Sequence, residues 1–268
     1  MSTTALLLEY NGQKFSGFQK QKNHNLLTVQ GELEKSIQIV LREPIKIYAA
    51  GRTDAGVHAK GMIVHFQSSK EISNFYKFNL SINSIIDRDI SLLDSLTMPD
   101  TFHARFSCTE REYEYFVLAS KTNRPLLKGR VYWFKKEIDL NTLLLNSNSL
   151  VGVHDFTSFT TAEAKKNYQS TIRRISSIQI KQDLEIPSLI KFTIRGSGFL
   201  HNMIRITIGT LLDISSGKIK KSILDVLKNK DRTNAGVTLP PEGLYFKKAY
   251  YEKFPEIESI YQKNFLSN

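Results

Sequence analysis

The chain has 268 residues, enough for one large core or two modest ones, and its 41% hydrophobic content beside only 7 prolines excludes a disordered chain. Its 37 Lys and Arg against 26 Asp and Glu give a formal charge of +11, which favours a polyanionic partner without choosing among RNA, DNA and a membrane surface. The single Cys108 excludes an internal disulfide and a cysteine zinc cluster, no apolar run reaches membrane-spanning length, and no secretory signal precedes the first strand-like run, so a cytoplasmic protein is expected.

Residues 5–10 read as a strand, with Asn11-Gly12 as a turn. Val29, Leu33, Ile37, Val40 and Leu41 recur at helical spacing, so 28–41 is predicted as an amphipathic helix whose early glutamates suit its positive end. Residues 45–49 and 62–66 are predicted strands on either side of a glycine-containing loop, followed by a helix over 72–85 and a strand over 90–96. The second half runs through a similar order: a strand at 113–118, a helix at 140–150, paired strands at 172–180 and 189–194, an apolar helix at 200–212, and a closing strand at 244–250. The pattern predicts an α/β (α+β) protein of two related split sheet-and-helix halves, residues 1–104 and 105–268, each with helices covering one sheet face.

Arg52, Asp54 and His58 share the segment Gly51-Arg52-Thr53-Asp54-Ala55-Gly56-Val57-His58, held between predicted strands, with two glycines that widen its backbone choices. A loop fixed at both ends suits a nucleophile, because catalysis gains from preorganised geometry; an Asp between glycines equally serves as a turn residue. In the predicted helix 200–212, apolar over more than one face, Arg205 must find an anion, reach water, or satisfy backbone carbonyls. The histidines His24, His58, His65, His103, His154 and His201 form no ligand-like pair, so no metal site is expected. Gly196-Ser197-Gly198 lacks the third glycine of a dinucleotide turn and the Lys-Ser or Lys-Thr of a phosphate loop. The basic pairs Lys165-Lys166 and Arg173-Arg174 read either as contacts to a nucleic-acid backbone or as solvated surface.

The motifs carry a resemblance over nearly the whole chain. They are Glu9-Tyr10-Asn11-Gly12, Phe15-Ser16-Gly17-Phe18-Gln19-Lys20-Gln21, Thr28-Val29-Gln30-Gly31-Glu32-Leu33-Glu34, the central Gly51 to Ala59 segment, Phe102-His103-Ala104-Arg105-Phe106-Ser107 and Arg111-Glu112-Tyr113-Glu114-Tyr115. Gly152 to Phe159, Gly196 to Arg205 and Gly243-Leu244-Tyr245-Phe246 complete the set. In this order they resemble the tRNA pseudouridine synthase A family, which isomerises uridines at positions 38 to 40 of the tRNA anticodon stem-loop to pseudouridine.

The resemblance implies two ferredoxin-like halves joined around a central active-site cleft, a homodimer acting on tRNA rather than on DNA or a membrane, and no metal, nucleotide or other cofactor. It makes Asp54 the catalytic aspartate, Arg52 the residue that holds the target nucleotide flipped out, and Tyr113 the ring that stacks on the target base. Arg205 becomes the partner of the catalytic carboxylate and Leu244 a wall of the base pocket, with His58, Lys165, Lys166, Arg173 and Arg174 as further substrate contacts. Phe18, Asp87, Glu112 and Val237 depart from the family's pattern of Trp, Pro, a basic residue and Pro, which bears on substrate range and on the looseness of two turns. The rival readings are an RNA-binding module without chemistry, which leaves the Asp54 loop without a purpose, and a metal-dependent nuclease, which needs clustered carboxylates.

Overall fold

The computed structural model describes residues 1–21 and 26–265. Along the chain run β1 (Ser2–Tyr10), α1 (Val29–Leu41), β2 (Tyr48–Ala49), β3 (His58–Ser68), α2 (Phe75–Ile85), β4 (Ile90–Met98) and β5 (Glu110–Ala119). Then come β6 (Tyr132–Phe134), α3 (Leu140–Asn148), β7 (Gly152–Asp155), α4 (Ala162–Lys165), β8 (Ile172–Gln182) and β9 (Leu189–Gly196). The chain finishes with α5 (Met203–Ser215), α6 (Ile223–Asn229), β10 (Leu244–Tyr250) and α7 (Glu256–Phe265). This is a mixed α/β protein, as the patterning predicts. It divides into two compact units, one of Met1–Arg111 together with the chain from Tyr245 onward, the other of Glu112–Leu244.

In the first unit β1 lies between β4 and β3 and is antiparallel to both, while β2 adds antiparallel to β3. The order β4-β1-β3-β2, threaded strand, helix, strand, strand, helix, strand, is the split arrangement read from the sequence. As a central strand β1 buries residues on both faces, and Leu6, Leu7 and Leu8 are all fully buried, which is why its sequence is a run rather than an alternation. Thr28 caps α1 by accepting from the Gly31 N–H at 3.2 Å, and Val29, Leu33 and Ile37 are the buried stripe. Asn74 caps α2 in the same way, so the helix starts at Phe75 and not at 72.

The strand predicted over 45–49 shrinks to two residues. Side chains of α1 take its hydrogen bonds: the Ile47 N–H donates to Glu34 Oε1 at 3.2 Å, and Gln30 Nε2 donates to the Ile47 carbonyl at 3.3 Å. Residues 86–90 are also more tightly held than the replacement of a usual proline by Asp87 suggests. Lys14 Nζ lies 2.5 Å from Asp87 and 2.8 Å from Asp89, and Asp87 Oδ1 accepts from the Asp89 N–H. After the second unit the chain returns: β10 pairs in parallel with the start of β3, Tyr245 opposite His58 and Phe246 opposite Ala59. Tyr261 of α7 then donates its hydroxyl to the Gly61 carbonyl at 2.6 Å.

The second unit has the strand order β5-β9-β8-β7, with β6 parallel to β5. The paired strands expected at 172–180 and 189–194 are the antiparallel β8 and β9. Around them pack α3, α5 and α6. The apolar helix begins at Met203 because Asn202 takes a left-handed backbone, φ 60°, and it then runs on to Ser215. Gly209 lets residues 236–239 run against it, since a Cβ there would stand 2.1 Å from the Val237 carbonyl oxygen. Gly236 N–H donates to Thr210 Oγ1, so the stretch containing Val237 is anchored.

One titrating group in the first unit gives a testable pH dependence. Burial, reinforced by the neighbouring His103, pulls the His65 pKa from 6.5 down to about 4. Its neutral form is therefore preferred in the folded state, and its stabilising effect is complete above pH 6.5 and lost as pH falls from there towards 4. NMR titration should find the His65 ring still neutral at about pH 5.5, and urea unfolding of His65→Phe should depend less on pH over that window than unfolding of the wild type.

Candidate active site

The segment 50–57 joins β2 to β3 and is fastened along its length, in its middle and at its end to the segment that leaves β1. At its start the Ala50 N–H donates to the Ile63 carbonyl at 2.8 Å, and Arg111 Nε donates to the Ala50 carbonyl at 3.0 Å. In the middle the Thr53 carbonyl accepts from the Phe18 N–H at 3.0 Å, and the Thr53 hydroxyl lies 2.8 Å from the Tyr10 hydroxyl. At its end the Gly56 N–H donates to the Phe15 carbonyl at 3.3 Å, and the Gly12 N–H donates to His58 Nδ1 at 3.1 Å. Gly56 has a φ of 79°, a conformation that side chains disfavour.

Two further glycines allow this closeness. A Cβ on Gly12 would stand 1.9 Å from the Val57 carbonyl oxygen, and one on Gly17, whose φ is +97°, would stand 2.9 Å from the Thr53 carbonyl oxygen. Thr53 is turned inward and buried, whereas Asp54 is half-buried and Arg52 exposed. The chain thus presents a carboxylate and a guanidinium two residues apart on backbone that has almost no freedom.

His58 is buried, 1% exposed, and its Nδ1 is an acceptor, so in the neutral ring the proton is on Nε2. The ring stacks on Tyr245 at 4.6 Å between centroids, and Lys60 Nζ lies 5.4 Å from the Tyr245 ring. These contacts hold the loop. Tyr245 stands in a sequence motif that gives it no part of its own, and the same is true of Tyr10, Phe15 and Gly17. Only the motif blocks themselves point to them.

In the second unit Tyr113 lies on β5, 9% exposed, with its ring meeting Phe199 edge-on at 5.3 Å and 82°. Arg205, in the first turn of α5, donates from Nε to the Leu239 carbonyl at 2.6 Å and from Nη1 to Asn202 Oδ1 at 2.8 Å. A backbone carbonyl is therefore among its partners, one of the alternatives the sequence left open, and these two bonds orient the guanidinium. Leu244 is buried and follows Gly243, where a Cβ would press into the Tyr115 ring at 2.8 Å. Glu112, in place of a basic residue, is also buried in β5 rather than displayed on the surface.

Among the surface cations, Lys165, Lys166 and Arg174 are exposed. Arg173 is half-buried; its Nη1 donates to the carbonyls of Ser170 and Ile172, and its guanidinium lies 5.5 Å from the Tyr168 ring. Tyr168 accepts from the His201 N–H at 3.0 Å, which ties this basic stretch to the residues just before Arg205. Among the described residues no group of three or more His, Cys, Asp or Glu is placed to hold a metal ion, and no helix is long and apolar enough to cross a membrane. His24 lies outside the described residues.

Comparison with known proteins agrees with the motifs. The model of the tRNA pseudouridine synthase family matches residues 7–106 and 147–252. A tRNA pseudouridine synthase A of Leptospira biflexa is 45% identical over 265 residues, 98% of each chain. The corresponding protein of Brachyspira hyodysenteriae is 40% identical over 259 residues, 94% of this chain and 99% of its own. Among solved structures, a Cbf5-Nop10-Gar1 complex aligns over 99% of this chain and 56% of its own at 9% identity, with a TM-score of 0.45 that is too low to bear on fold or function. The near full-length identity to the Leptospira and Brachyspira proteins and the family match, whose first segment contains the Asp54 loop, carry the conclusion that the chain belongs to the tRNA pseudouridine synthase family.

Proposed function

We propose that the protein isomerises uridine to pseudouridine in the anticodon stem-loop of tRNA, at positions 38 to 40, with Asp54 as the catalytic carboxylate. The observation that carries this reading is the Asp54 loop itself, clamped to 10–18 by the Phe18–Thr53, Tyr10–Thr53, Gly56–Phe15 and Gly12–His58 bonds. Family membership supports the reaction.

The reaction fits a small set of groups. Substrate and product are isomers: the bond from C1′ to N1 breaks, one from C1′ to C5 forms, C5 loses a proton and N1 gains one. No atom is added and nothing is oxidised, so the chemistry asks for a carboxylate, a means of holding the detached uracil, and exclusion of water. Asp54 in its ionised form can attack C1′, take a proton from C2′, or add to C6 of the base, and each route uses one oxygen held in place.

The target must first leave its stack, and exposed Arg52 is the group we assign to the vacated space. Tyr113 supplies a flat face and Leu244 an apolar wall for the turning base. Arg205, oriented by Leu239 and Asn202, is assigned as the cation that acts on the catalytic carboxylate. Lys165, Lys166 and Arg174 are assigned to phosphates, Arg173 braces the stretch that carries them, and buried His58 serves the substrate only through the loop it holds. The resemblance to the family supports action as a cytoplasmic homodimer.

Purified protein in the presence of a chelator should convert uridine in an anticodon stem-loop transcript, read by product mapping; Asp54→Asn should bind the transcript and convert none of it. Wild type that binds but leaves uridine intact would give the case to a module without chemistry. Gly17→Ala should lower kcat by roughly ten-fold or more with a smaller change in KM, because it moves the loop and leaves the RNA surface in place. If Asp54 and Arg205 act on one step, the losses from Asp54→Asn and Arg205→Gln should fall well short of additive in the double variant.

A further inference from the structure

The first unit carries a second group of rings on its surface, outside the Asp54 loop. Phe106 is 78% exposed and its ring lies 4.3 Å from that of His103. His103 in turn meets His65 at 4.6 Å and Tyr48 at 5.1 Å, and Tyr48 is itself 39% exposed. Cations stand over both exposed rings, Arg105 Cζ at 5.9 Å from Phe106 and Lys46 Nζ at 5.2 Å from Tyr48.

A lone exposed hydrophobic ring needs no explanation. This one projects from a turn whose backbone is held by several bonds. His103 Nδ1 accepts from the N–H groups of both Arg105 and Phe106, the Ser107 N–H donates to the His103 carbonyl, and the His103 N–H donates to Ser107 Oγ. Below them the Ala104 N–H donates to His65 Nδ1, and Tyr251 donates its hydroxyl to the Ala104 carbonyl at 2.7 Å. Arg111 then joins this turn to the catalytic loop, donating from Nη2 to the Arg105 carbonyl at 2.8 Å and from Nε to the Ala50 carbonyl at 3.0 Å. Burial keeps the His65 and His103 rings in their uncharged form near neutral pH, so the positive charge here comes from Lys46 and Arg105.

We propose that Phe106, backed by His103 and Tyr48, is a stacking platform for an unpaired RNA base other than the one isomerised, with Arg105 and Lys46 meeting the adjoining phosphates. A largely exposed ring on a held turn, with flanking cations, matches a ligand that combines a flat π-surface with negative charge. The connection through Arg111 means that the base captured there and the loop holding Asp54 are parts of one rigid frame. The platform deepens the proposed action on tRNA and rests on it for the identity of the ligand.

The test uses the whole chain and an anticodon stem-loop transcript, with binding and turnover measured separately. Phe106→Ala should weaken binding and raise KM by roughly 5- to 100-fold, with kcat within about two-fold of wild type. Phe106→Leu should resemble the alanine variant, and Phe106→Trp should keep affinity within about three-fold while gaining fluorescence, beyond that of Trp133, that the transcript quenches. Unchanged binding in Phe106→Ala, full rescue by Phe106→Leu, or added fluorescence in Phe106→Trp that is indifferent to the transcript would each overturn the platform. Wild type that binds without converting uridine would sink the enzymatic reading and leave the binding result to judge the platform alone.

Discussion

The bond from the Phe18 N–H to the Thr53 carbonyl, made possible by the bare backbone of Gly17, is the constraint on which the rest of the first unit turns. It brings two loops into contact that are distant in sequence and leaves Asp54 on the outer side of a seam whose inner side is Thr53 and Tyr10. Bonds of this kind contribute about 1 kcal/mol each to stability. Their larger effect is on precision: a carboxylate that would otherwise wander by ångströms is confined before substrate arrives.

Support for that seam extends outward. The residues of 10–18 are fixed in their turn by Asn11 on Asp89, by Lys14 on Asp87 and Asp89, and by Gln30, which donates its backbone N–H to Phe18 and its side chain to Glu34. Asp87 shows how a departure from the family's pattern can be compensated. Where proline would stiffen the turn covalently, a carboxylate does so by ion pairing, which works only while it is ionised and weakens with salt.

Much of this was legible in the sequence, and what was not has definite causes. Period and run length gave β1, α1, β3, α2 and β4, since each is set by its own residues and the core behind it. Residues 45–49 misled because Ile45 and Ile47 alternate like a strand while α1 takes the hydrogen bonds a ladder would need. Asp54 stands out as a motif member, but nothing local announces that Gly12 and Gly17 make its loop rigid, because the contacts are to backbone atoms in a segment remote in sequence. Tyr245 escaped for the same reason, its partner His58 lying near the other end of the chain. The expectation that Arg205 serves the carboxylate of Asp54 came from family likeness and not from composition or spacing.

The return of β10 and α7 to the first unit has a consequence for synthesis. As a nascent polypeptide leaves the ribosome, its opening stretch already holds Asp54, yet the strand that lies beside His58 and the ring stacked upon it emerge only after the intervening second unit. Until then the leading end of β3 is an unprotected edge, open to wrong pairings and to proteolysis. Completion of the frame around Asp54 thus waits for β10 and α7 to be made, and a chain cut before Tyr245 would keep the Asp54 loop without its buttress.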